Sequence, residues 1–458
     1  MSLAKEAAER WSASLAASDP VAIQAELERE MRAGHLTYKD RCICQVLRPL
    51  FVERAAHEWM LRASRLVVRA IHKAMAVLDE RPALYERLGF TEVERRLTSI
   101  GGGFSPHDLI GRLDAFLQPD GTVRFLEYNG ESPGGVAFGD ALGGLFDRLP
   151  MMQELRSELA LTRYPAMPQV VRAFRDEYAA WCRRNGVTPK PRPHVAILDI
   201  PGVATVGEFH LFARLFSKYG MPASVVTTDD IVLEDGALKA HGKPIDLVYR
   251  RLVTQDLLAR LSPDHTIVRA MAENVCLIAN GFEGYKASNK GLFSLLSDPA
   301  QRPPTLTEEE IGAIDASLPW TRLCEAGRTT APDRPNGPTE PLDVIVKRLK
   351  NRLVLKPTAG YGGQSVVLGW TQSDAEWTAA WENAKRVPHV VQEKVAIPAE
   401  SFPVLRGGKV ESFDLQFDVD PYVLQGSRTY GVGVRLSAGE LLNVAAGAGS
   451  AVPAYVVG

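Results

Sequence analysis

The segment Ile110-Gly-Arg-Leu-Asp-Ala-Phe-Leu117, followed by Val123-Arg-Phe-Leu-Glu-Tyr-Asn129, decides the fold of this chain. Apolar and aromatic residues dominate both segments, and the first alternates toward Pro119-Asp120-Gly121, a typical turn sequence. Strand-forming runs on either side of a short turn predict two antiparallel β-strands in a hairpin. The polar residues inside these strands therefore indicate what the hairpin does.

Four polar side chains converge on one face of the predicted hairpin. If the loop spans residues 119–122, residue 118 pairs with residue 123, and the register places Asp114 opposite Glu127 and Arg112 opposite Asn129. Side chains two residues apart on a strand point to the same face. The register thus predicts a cluster of one basic, two acidic and one amide side chain.

Two carboxylates and an amide oxygen suit a hard divalent cation. Mg²⁺ takes oxygen ligands in an octahedron, keeps several waters and is commonly shared with nucleotide phosphates. Asp114, Glu127 and Asn129 are therefore candidate Mg²⁺ ligands, and the hairpin points to ATP chemistry. The alternative interpretation is an exposed polar hairpin, because the solvent face of a strand is often polar.

The composition is that of an ordinary globular protein. Of the 458 residues, 45% are hydrophobic and 24% charged, and the formal net charge is -2. This length predicts roughly two to four folding units. Nucleic acid and anionic membranes are not expected as partners without a basic excess, and no apolar run approaches a membrane span. Small molecules are the expected partners, and the oligomeric state is left open.

The five cysteines are scattered: Cys42, Cys44, Cys182, Cys276 and Cys324. Their odd number and spacing predict neither a disulfide framework nor a four-cysteine zinc site. Cys42 and Cys44 lie in an apolar stretch, which favours buried thiols over metal ligands. A reducing, cytoplasmic location is expected.

The chain divides into regions of different pattern. Residues 1–95 show apolar recurrence every three or four positions, which predicts an N-terminal helical region. Residues 96–150 hold the hairpin and are expected to form the metal-binding portion. Residues 190–285 alternate apolar strands with helices, which predicts a parallel, Rossmann-like α/β unit. Residues 286–458 are expected to form the nucleotide-binding portion.

Inside the Rossmann-like region, strands are expected at His194–Ile200, Ala223–Thr227 and Ile245–Arg250, and a helix at Glu208–Tyr219. No Gly-x-Gly-x-x-Gly turn follows the first strand, which disfavours dinucleotide binding there. Arg250 and Arg251 lie at the end of the third strand, where an acidic substrate would bind in such folds.

A glycine-rich turn follows the predicted strand that ends in Lys356. Its candidate phosphate-binding residues are Gly360, Gly362, Gly363, Gln364 and Ser365. Glycines allow backbone N–H groups to approach phosphate oxygens closely, and Lys356 adds positive charge. The alternative is an ordinary hairpin with a lysine beside it.

Three further segments carry polar groups at the ends of predicted elements. A strand ends in Gln392, Glu393 and Lys394, which suits the donor and acceptor edge of an adenine. Lys290 stands before a leucine-rich helix and offers a second lysine. Arg435 could clamp a phosphoryl group or a carboxylate with its planar guanidinium. The plain alternatives are charged strand ends, an exposed lysine and an arginine paired with a carboxylate.

In chain order, these motifs resemble the circularly permuted ATP-grasp proteins, in particular the synthetase domain of glutathionylspermidine synthase. The matching segments, within residues 98–458, are Gly-Arg112-Leu-Asp114, Phe-Leu-Glu127-Tyr-Asn129, Ser-Asn289-Lys290, Leu-Lys356-Pro-x-x-Gly360, Gln392-Glu393 and Gly-x-Gly-x-Arg435. In ordinary ATP-grasp enzymes the lysines and glycine-rich loop precede the acidic hairpin, whereas here the hairpin comes first. The resemblance implies an α/β (α+β), circularly permuted ATP-grasp fold with a Rossmann-like pre-ATP-grasp domain and an N-terminal helical region.

The resemblance also implies a role for each candidate residue. Those roles are Mg²⁺ binding by Asp114, Glu127 and Asn129; ATP phosphate binding by Lys290 and Lys356; closure over the nucleotide by Gly360–Ser365; adenine contact by Gln392–Lys394; and stabilisation of the transferred phosphoryl group by Arg112 and Arg435.

Enzymes of this kind phosphorylate a carboxylate with ATP and let an amine attack the acyl phosphate, releasing ADP and phosphate. The resemblance thus implies a Mg-ATP-dependent carboxylate–amine ligase whose small-molecule acid and amine substrates the sequence does not identify. Two alternatives use the same residues: an ATP-binding protein without turnover, with a regulatory or assembly role, and a small-molecule kinase that phosphorylates an alcohol.

Overall fold

A computed structural model of the chain describes residues 2–101, 108–360, 365–439 and 449–458. The described residues contain helices and strands throughout, in agreement with the α/β expectation. The predicted phosphate-binding residues Gly362, Gly363 and Gln364 lie outside the described residues.

The described helices are, in chain order, α1 (Leu3–Ala17), α2 (Pro20–Ala33), α3 (Arg54–Glu80), α4 (Ala83–Arg87), α5 (Glu92–Thr98), α6 (Val136–Phe146), α7 (Pro150–Glu158), α8 (Met167–Arg184), α9 (Val206–Lys218), α10 (Thr254–Arg260), α11 (Thr266–Ala272), α12 (Glu283–Ala287), α13 (Gly291–Ser297), α14 (Glu308–Ser317), α15 (Leu342–Arg348) and α16 (Asp374–Ala384). The described strands are β1 (Thr37–Tyr38), β2 (Arg41–Cys42), β3 (Leu50–Glu53), β4 (Ile110–Leu117), β5 (Val123–Asn129), β6 (Leu161–Thr162), β7 (Val195–Asp199), β8 (Ala223–Thr227), β9 (Ile231–Glu234), β10 (Ala237–Ala240), β11 (Lys243–Pro244), β12 (Leu247–Arg250), β13 (Leu277–Ala279), β14 (Thr321–Leu323), β15 (Arg328–Thr329), β16 (Glu340–Pro341), β17 (Leu353–Pro357), β18 (Val367–Leu368), β19 (His389–Glu393), β20 (Ala399–Arg406), β21 (Lys409–Leu424), β22 (Arg428–Ser437), β23 (Ser450–Ala451) and β24 (Ala454–Val457).

The predicted hairpin is β4 and β5, and its register differs from the expected one at the turn. Leu117 lies opposite Val123, one residue away from the predicted pairing of 118 with 123. A β-bulge at Leu126 then shifts the register by one residue, since bulges place two residues opposite one. The pairs Asp114–Glu127 and Arg112–Asn129 are therefore confirmed.

The hairpin belongs to a six-stranded sheet that joins distant parts of the chain. Its order is β23-β22-β21-β4-β5, and β20 pairs with the outer part of β21. Strand β4 lies antiparallel to β21, so the hairpin sits next to strands from the C-terminal region. The 27-residue helix α3 packs its apolar face on β21 and β22 and builds the main core there.

A separate sheet has the parallel, Rossmann-like character that the sequence predicts. Its order is β13-β12-β7-β8, and all neighbours are parallel. Strand β7 is buried throughout, as expected for a strand covered on both faces. The predicted strands and the helix of this region are confirmed within two residues at each end.

The region that is predicted to bind nucleotide contains the antiparallel sheet β14-β19-β17-β18. Helices α15 and α16 cover it, and Trp377 and Trp381 pack with Leu353 and Leu355 in its core. The glycine-rich turn joins β17 to β18, so the two predicted β runs around it are confirmed.

The N-terminal region is not entirely helical. Strands β1 and β2 form a small hairpin, and β3 pairs in parallel with β24, the last described strand of the chain. Leu50–Glu53 has no strand partner nearby in the sequence and pairs with a segment about 400 residues away. Local periodicity does not reveal such a partner. All five cysteines are free and buried, as expected. None of the described helices combines the length and apolar character needed to cross a membrane.

Candidate active site

Four adjacent strands present polar side chains on one face of the six-stranded sheet. Arg112 of β4 lies opposite Asn129 of β5 on one side and opposite Tyr422 of β21 on the other. One strand farther, Asp418 of β21 lies opposite Arg435 of β22. Because strand side chains alternate between faces, the candidate residues of the hairpin and of β22 share this surface.

Asp114 is the centre of this surface. Its Oδ1 accepts hydrogen bonds from Arg112 Nε at 2.8 Å and Asn129 Nδ2 at 2.9 Å. Its Oδ2 accepts from Arg112 Nη2 at 3.1 Å and Arg435 Nη2 at 2.7 Å. The structure thus brings four predicted site residues into direct contact.

Two residues that the sequence analysis missed complete this cluster. Asp418 and Asp420 are almost fully buried, at 2% and 1% exposure. Asp418 Oδ2 lies 2.6 Å from Arg435 Nη2, and Asp420 Oδ2 lies 3.1 Å from the same nitrogen. The signal in the sequence is the alternation Asp418-Val-Asp420 in an apolar run, which has the same spacing as Glu127 and Asn129.

The pKa values of Asp114 and Asp420 are shifted in opposite directions. Burial alone would raise the pKa of Asp114, but attraction from Arg112 and Arg435 outweighs it and holds that pKa below the ordinary range. Burial raises the pKa of Asp420, since it lies deepest and shares its arginines with two other carboxylates. Attraction from the arginines therefore outweighs burial at Asp114 but not at Asp420.

Lys290 connects the hairpin to the glycine-rich turn. Its Nζ lies 3.2 Å from Glu127 Oε2 and donates a hydrogen bond to Gly360 O at 2.7 Å. Its backbone N–H donates to Thr358 O at 2.8 Å. The lysine side chain is only 10% exposed, so the alternative of a solvent-exposed lysine is wrong.

Lys356 lies beside the same group of charges. Its Nζ donates a hydrogen bond to Gln392 Oε1 at 2.8 Å, which joins two predicted nucleotide contacts. Burial and the nearby Lys290 lower the pKa of Lys356 to about 8, while Glu127 and Asp114 oppose the shift. Neighbouring lysines, one of which has a lowered pKa, are common in sites that bind anions.

The remaining predicted nucleotide contacts have other neighbours. Glu393 pairs with Arg352 at 2.8 Å, and Lys394 Nζ lies 3.6 Å from the ring centroid of Trp370. Gly360 and Ser365 flank the glycine-rich turn and both have positive φ, at 122° and 58°. Only Gln392 of the predicted adenine contacts therefore touches one of the two lysines directly among the described residues.

A cavity of ≈520 Å³ opens beside these residues. Asn129, Lys290 and Gly360 line one side of it, and Asp199 and Arg251 at the carboxyl edge of the parallel sheet line the other. Burial raises the pKa of Asp199 to about 6. The cavity therefore presents both signs of charge next to the two lysines.

Arg250 does not line this cavity. It is completely buried, and its Nη1 pairs with Glu131 at 2.8 Å, while Nε donates to Asn280 O at 2.8 Å. The expectation that both Arg250 and Arg251 meet a substrate is therefore wrong for Arg250. Its role is structural, because it ties the loop after β5 to the parallel sheet.

Asn280 strengthens the same connection. Its Oδ1 accepts from the backbone N–H of Leu109 at 2.8 Å, and its Nδ2 donates to Ile110 O and Gly130 O, both at 2.7 Å. One fully buried side chain thus holds the beginning of β4 and the end of β5 against the parallel sheet. The candidate ligands therefore sit on a rigid hairpin next to the cavity.

The donor set of Asp114, Glu127 and Asn129 fits Mg²⁺ that is shared with a nucleotide. Their oxygens are hard ligands on one face of the hairpin, and a bound nucleotide would supply further oxygen ligands. Among the described residues, no three carboxylate, histidine or cysteine side chains form an all-protein metal site. This donor set therefore suits a metal that arrives with its phosphate ligands.

Comparison with solved structures shows the fold. The chain has an α/β ATP-grasp fold, as the sequence predicts, while the circular permutation stays a prediction. It is similar to a glutathione synthetase-like effector from Globodera pallida, with a TM-score of 0.58 and 12% identity over 96% of this chain and 98% of that chain. No family model and no curated protein matches the sequence.

Two other solved structures share less of the architecture. A candidate gamma-glutamylcysteine synthetase from Methylobacillus flagellatus has a TM-score of 0.41 and 10% identity over 85% of this chain and 88% of that chain. An ATP-grasp RimK domain protein from Sphaerobacter thermophilus has a TM-score of 0.27 and 14% identity over 57% of this chain and 89% of that chain. At such identities the reaction must be argued from the site itself.

Proposed function

We propose that the protein is a Mg-ATP-dependent carboxylate–amine ligase that forms an amide or peptide bond through an acyl phosphate. The observation that carries the proposal is the contact network of three groups: Arg435 pairs with Asp114, Lys290 pairs with Glu127, and Lys290 also donates to Gly360. Asn129, Lys290 and Gly360 of this network line the cavity. A phosphoryl-transfer site needs these groups, because catalysis consists mainly of positioning and of stabilising charge on phosphoryl oxygens.

Each group has a part in binding the nucleotide. Lys290 and Lys356 bind the phosphates, the turn from Gly360 to Ser365 covers them, and Gln392 to Lys394 contact the adenine. Asp114, Glu127 and Asn129 would hold Mg²⁺, which would neutralise the charge of the phosphates. Lys290, Arg112 and Arg435 already pair with carboxylates in the free protein, so a polyphosphate requires an accompanying cation.

The reaction has two steps, phosphorylation of the acid and formation of the amide bond. A carboxylate oxygen of the acid substrate attacks the γ-phosphorus, the bond to the β-phosphate oxygen breaks, and ADP leaves. An amine nitrogen then attacks the acyl carbon, phosphate leaves, and the amine loses a proton. Arg112 and Arg435 stabilise the transferred phosphoryl group in the first step and the leaving phosphate in the second.

The cavity supports an acid substrate placed next to the phosphates. Lys290 and Arg251 supply positive charge along its wall, and Asp199 supplies an acidic group that suits an amine. A cavity that closes over the reacting groups also protects an acyl phosphate from water. We further infer a circularly permuted chain order, supported by the position of the acidic hairpin ahead of both lysines.

Ligand-dependent melting tests the nucleotide and metal part of the proposal. ATP with Mg²⁺ should raise the melting temperature of the wild type, because a ligand at 100 times its Kd stabilises by about 2.7 kcal/mol. Glu127→Ala should abolish the Mg²⁺-dependent part of the rise, whereas Glu9→Ala, on the exposed face of α1, should keep it. No rise in the wild type would refute nucleotide binding.

Hydroxylamine trapping tests the ligase step against a kinase. ATP, Mg²⁺ and hydroxylamine are incubated with pools of amino acids, peptides and small dicarboxylates. An activated carboxylate gives a stable acyl hydroxamate together with ADP, whereas phosphorylation of an alcohol gives ADP and a phosphate ester. Ester formation without hydroxamate would favour the kinase, and binding of ATP without ADP release in any pool would favour a regulatory nucleotide-binding protein.

A further inference from the structure

Strand β21 places two aspartates beneath the arginines of the site. Asp418 and Asp420 alternate with apolar residues on this strand, and their side chains are 3% and 1% exposed. The Arg435 side chain above them is 23% exposed, so its guanidinium lies between the two buried aspartates and the solvent. This layer is separate from the hairpin that carries the proposed Mg²⁺ ligands.

Asp418 fixes both the backbone and the side chain of Arg435. Its Oδ1 accepts a hydrogen bond from the Arg435 backbone N–H at 3.0 Å, and its Oδ2 accepts from Nε at 2.9 Å. Contacts at both ends of a side chain restrict its rotamers and orient the plane of the guanidinium. Asp418 therefore determines the direction in which Arg435 projects.

Asp420 links the two arginines. Its Oδ2 lies 3.1 Å from Arg435 Nη2 and 3.7 Å from Arg112 Nε, and its Oδ1 accepts the backbone N–H of Ala115 at 3.1 Å. The last bond attaches it to the strand of Asp114, one residue beyond that carboxylate. Asp420 is thus held in place independently of the arginines.

Asp114 could not hold Arg112 and Arg435 in this orientation if it coordinated a metal. Both of its oxygens accept hydrogen bonds from the arginines and Asn129, so a cation at Asp114 competes with these contacts. An arginine without a carboxylate partner would be free to turn away from the site. Two additional buried carboxylates would keep it in place, and burying ionised groups is rarely favourable for stability alone.

We propose that Asp418 and Asp420 are positioning residues that hold Arg435, and through Asp420 also Arg112, at the transferred phosphoryl group when Asp114 turns to the metal. The inference rests on the proposed function, because it assumes that the arginines act on the phosphoryl group. It assigns a role to two residues that touch neither nucleotide nor substrate.

Binding of a transferred-phosphoryl mimic tests this role without knowledge of the substrates. Calorimetry gives the Kd of Mg-ADP alone and of Mg-ADP with aluminium fluoride. The ratio of the first Kd to the second measures how much the contacts to the transferred group strengthen binding. Asp418→Asn and Asp420→Asn should keep the Kd of Mg-ADP within about twofold and reduce the ratio by about 10²-fold, the range seen when one charge-stabilising donor is lost. Arg435→Lys should reduce the ratio similarly, since a lysine lacks the planar fork.

The matched control is Asp246→Asn, which precedes β12 at the amino edge of the parallel sheet and does not line the cavity. Asp246 also accepts a backbone N–H, from His194 at 2.8 Å, and pairs with a lysine. This variant should keep both the Kd and the ratio. A general loss of packing would lower Mg-ADP affinity and the ratio together, whereas a positioning defect lowers only the ratio.

The melting transition of each variant shows which variant can be used. If one aspartate variant fails to fold, the other carries the test. An unchanged ratio in the folded variants, or no gain from fluoride in a wild type that binds Mg-ADP, overturns the positioning role alone. A wild type that binds no Mg-ADP overturns the proposed function as well.

Discussion

Raising the pH above 8 should weaken nucleotide binding, because Lys356 loses its charge. Burial and the neighbouring Lys290 lower its pKa to about 8 in the free protein. Bound phosphates favour the charged lysine and should return its pKa toward the ordinary value of about 10.4. Binding therefore takes up a proton above pH 8, so affinity is highest below pH 8 and falls as the pH rises toward 10.

The magnitude follows from the two pKa values. At pH 9 a lysine with a pKa of about 8 is neutral in about nine-tenths of the free molecules, whereas about one in twenty-five is neutral in the complex. The Kd at pH 9 should then be about tenfold larger than at pH 7, which corresponds to about 1.4 kcal/mol.

Calorimetric titration with Mg-ADP between pH 7 and pH 9.5, at constant ionic strength, measures this dependence. The nucleotide itself contributes little in this range, since a phosphate loses its second proton near pH 6. Lys356→Gln should bind more weakly at pH 7 and show a flat profile, while Lys347→Gln, an exposed lysine of α15, should keep the wild-type slope. A wild-type Kd that is constant to pH 9.5, or a slope that survives in Lys356→Gln, would refute the assignment of Lys356 to the phosphates.

Three further predictions concern the framework of the site. Asn280→Ala should lower the free energy of unfolding in urea by about 3 kcal/mol, because it leaves buried backbone groups of the hairpin without partners; a loss below about 1 kcal/mol would contradict this. Arg250→Met should cost about 3–5 kcal/mol by leaving Glu131 buried and unpaired, and the double variant with Glu131→Leu should recover part of it in the same assay. Asp199→Asn should stabilise the protein by up to about 3 kcal/mol at pH 8 and by less than about 0.5 kcal/mol at pH 4, since a raised carboxyl pKa penalises the folded state only where the group ionises; equal effects at both pH values would exclude a carboxylate held at a cost to stability.

Sequence by itself determined the local elements and the chemistry of the hairpin. Alternation toward a turn specified β4 and β5, and the two-residue spacing of Glu127 and Asn129 placed both on one face. Strand and helix patterns likewise specified the parallel unit, because each element there buries its own apolar residues. These features depend on neighbours within a few positions, which a linear pattern contains.

Tertiary structure alone decided what surrounds the predicted ligands. Asp420 lies 305 positions from Ala115, to which it is hydrogen-bonded, so its place beside the hairpin follows from the pairing of β21 with β4. The burial of Arg250 against Glu131 and the cavity beside Lys290 likewise arise where separate sheets meet. Such relations depend on which distant strands pair and on which charges lose their water, and no local periodicity encodes either one.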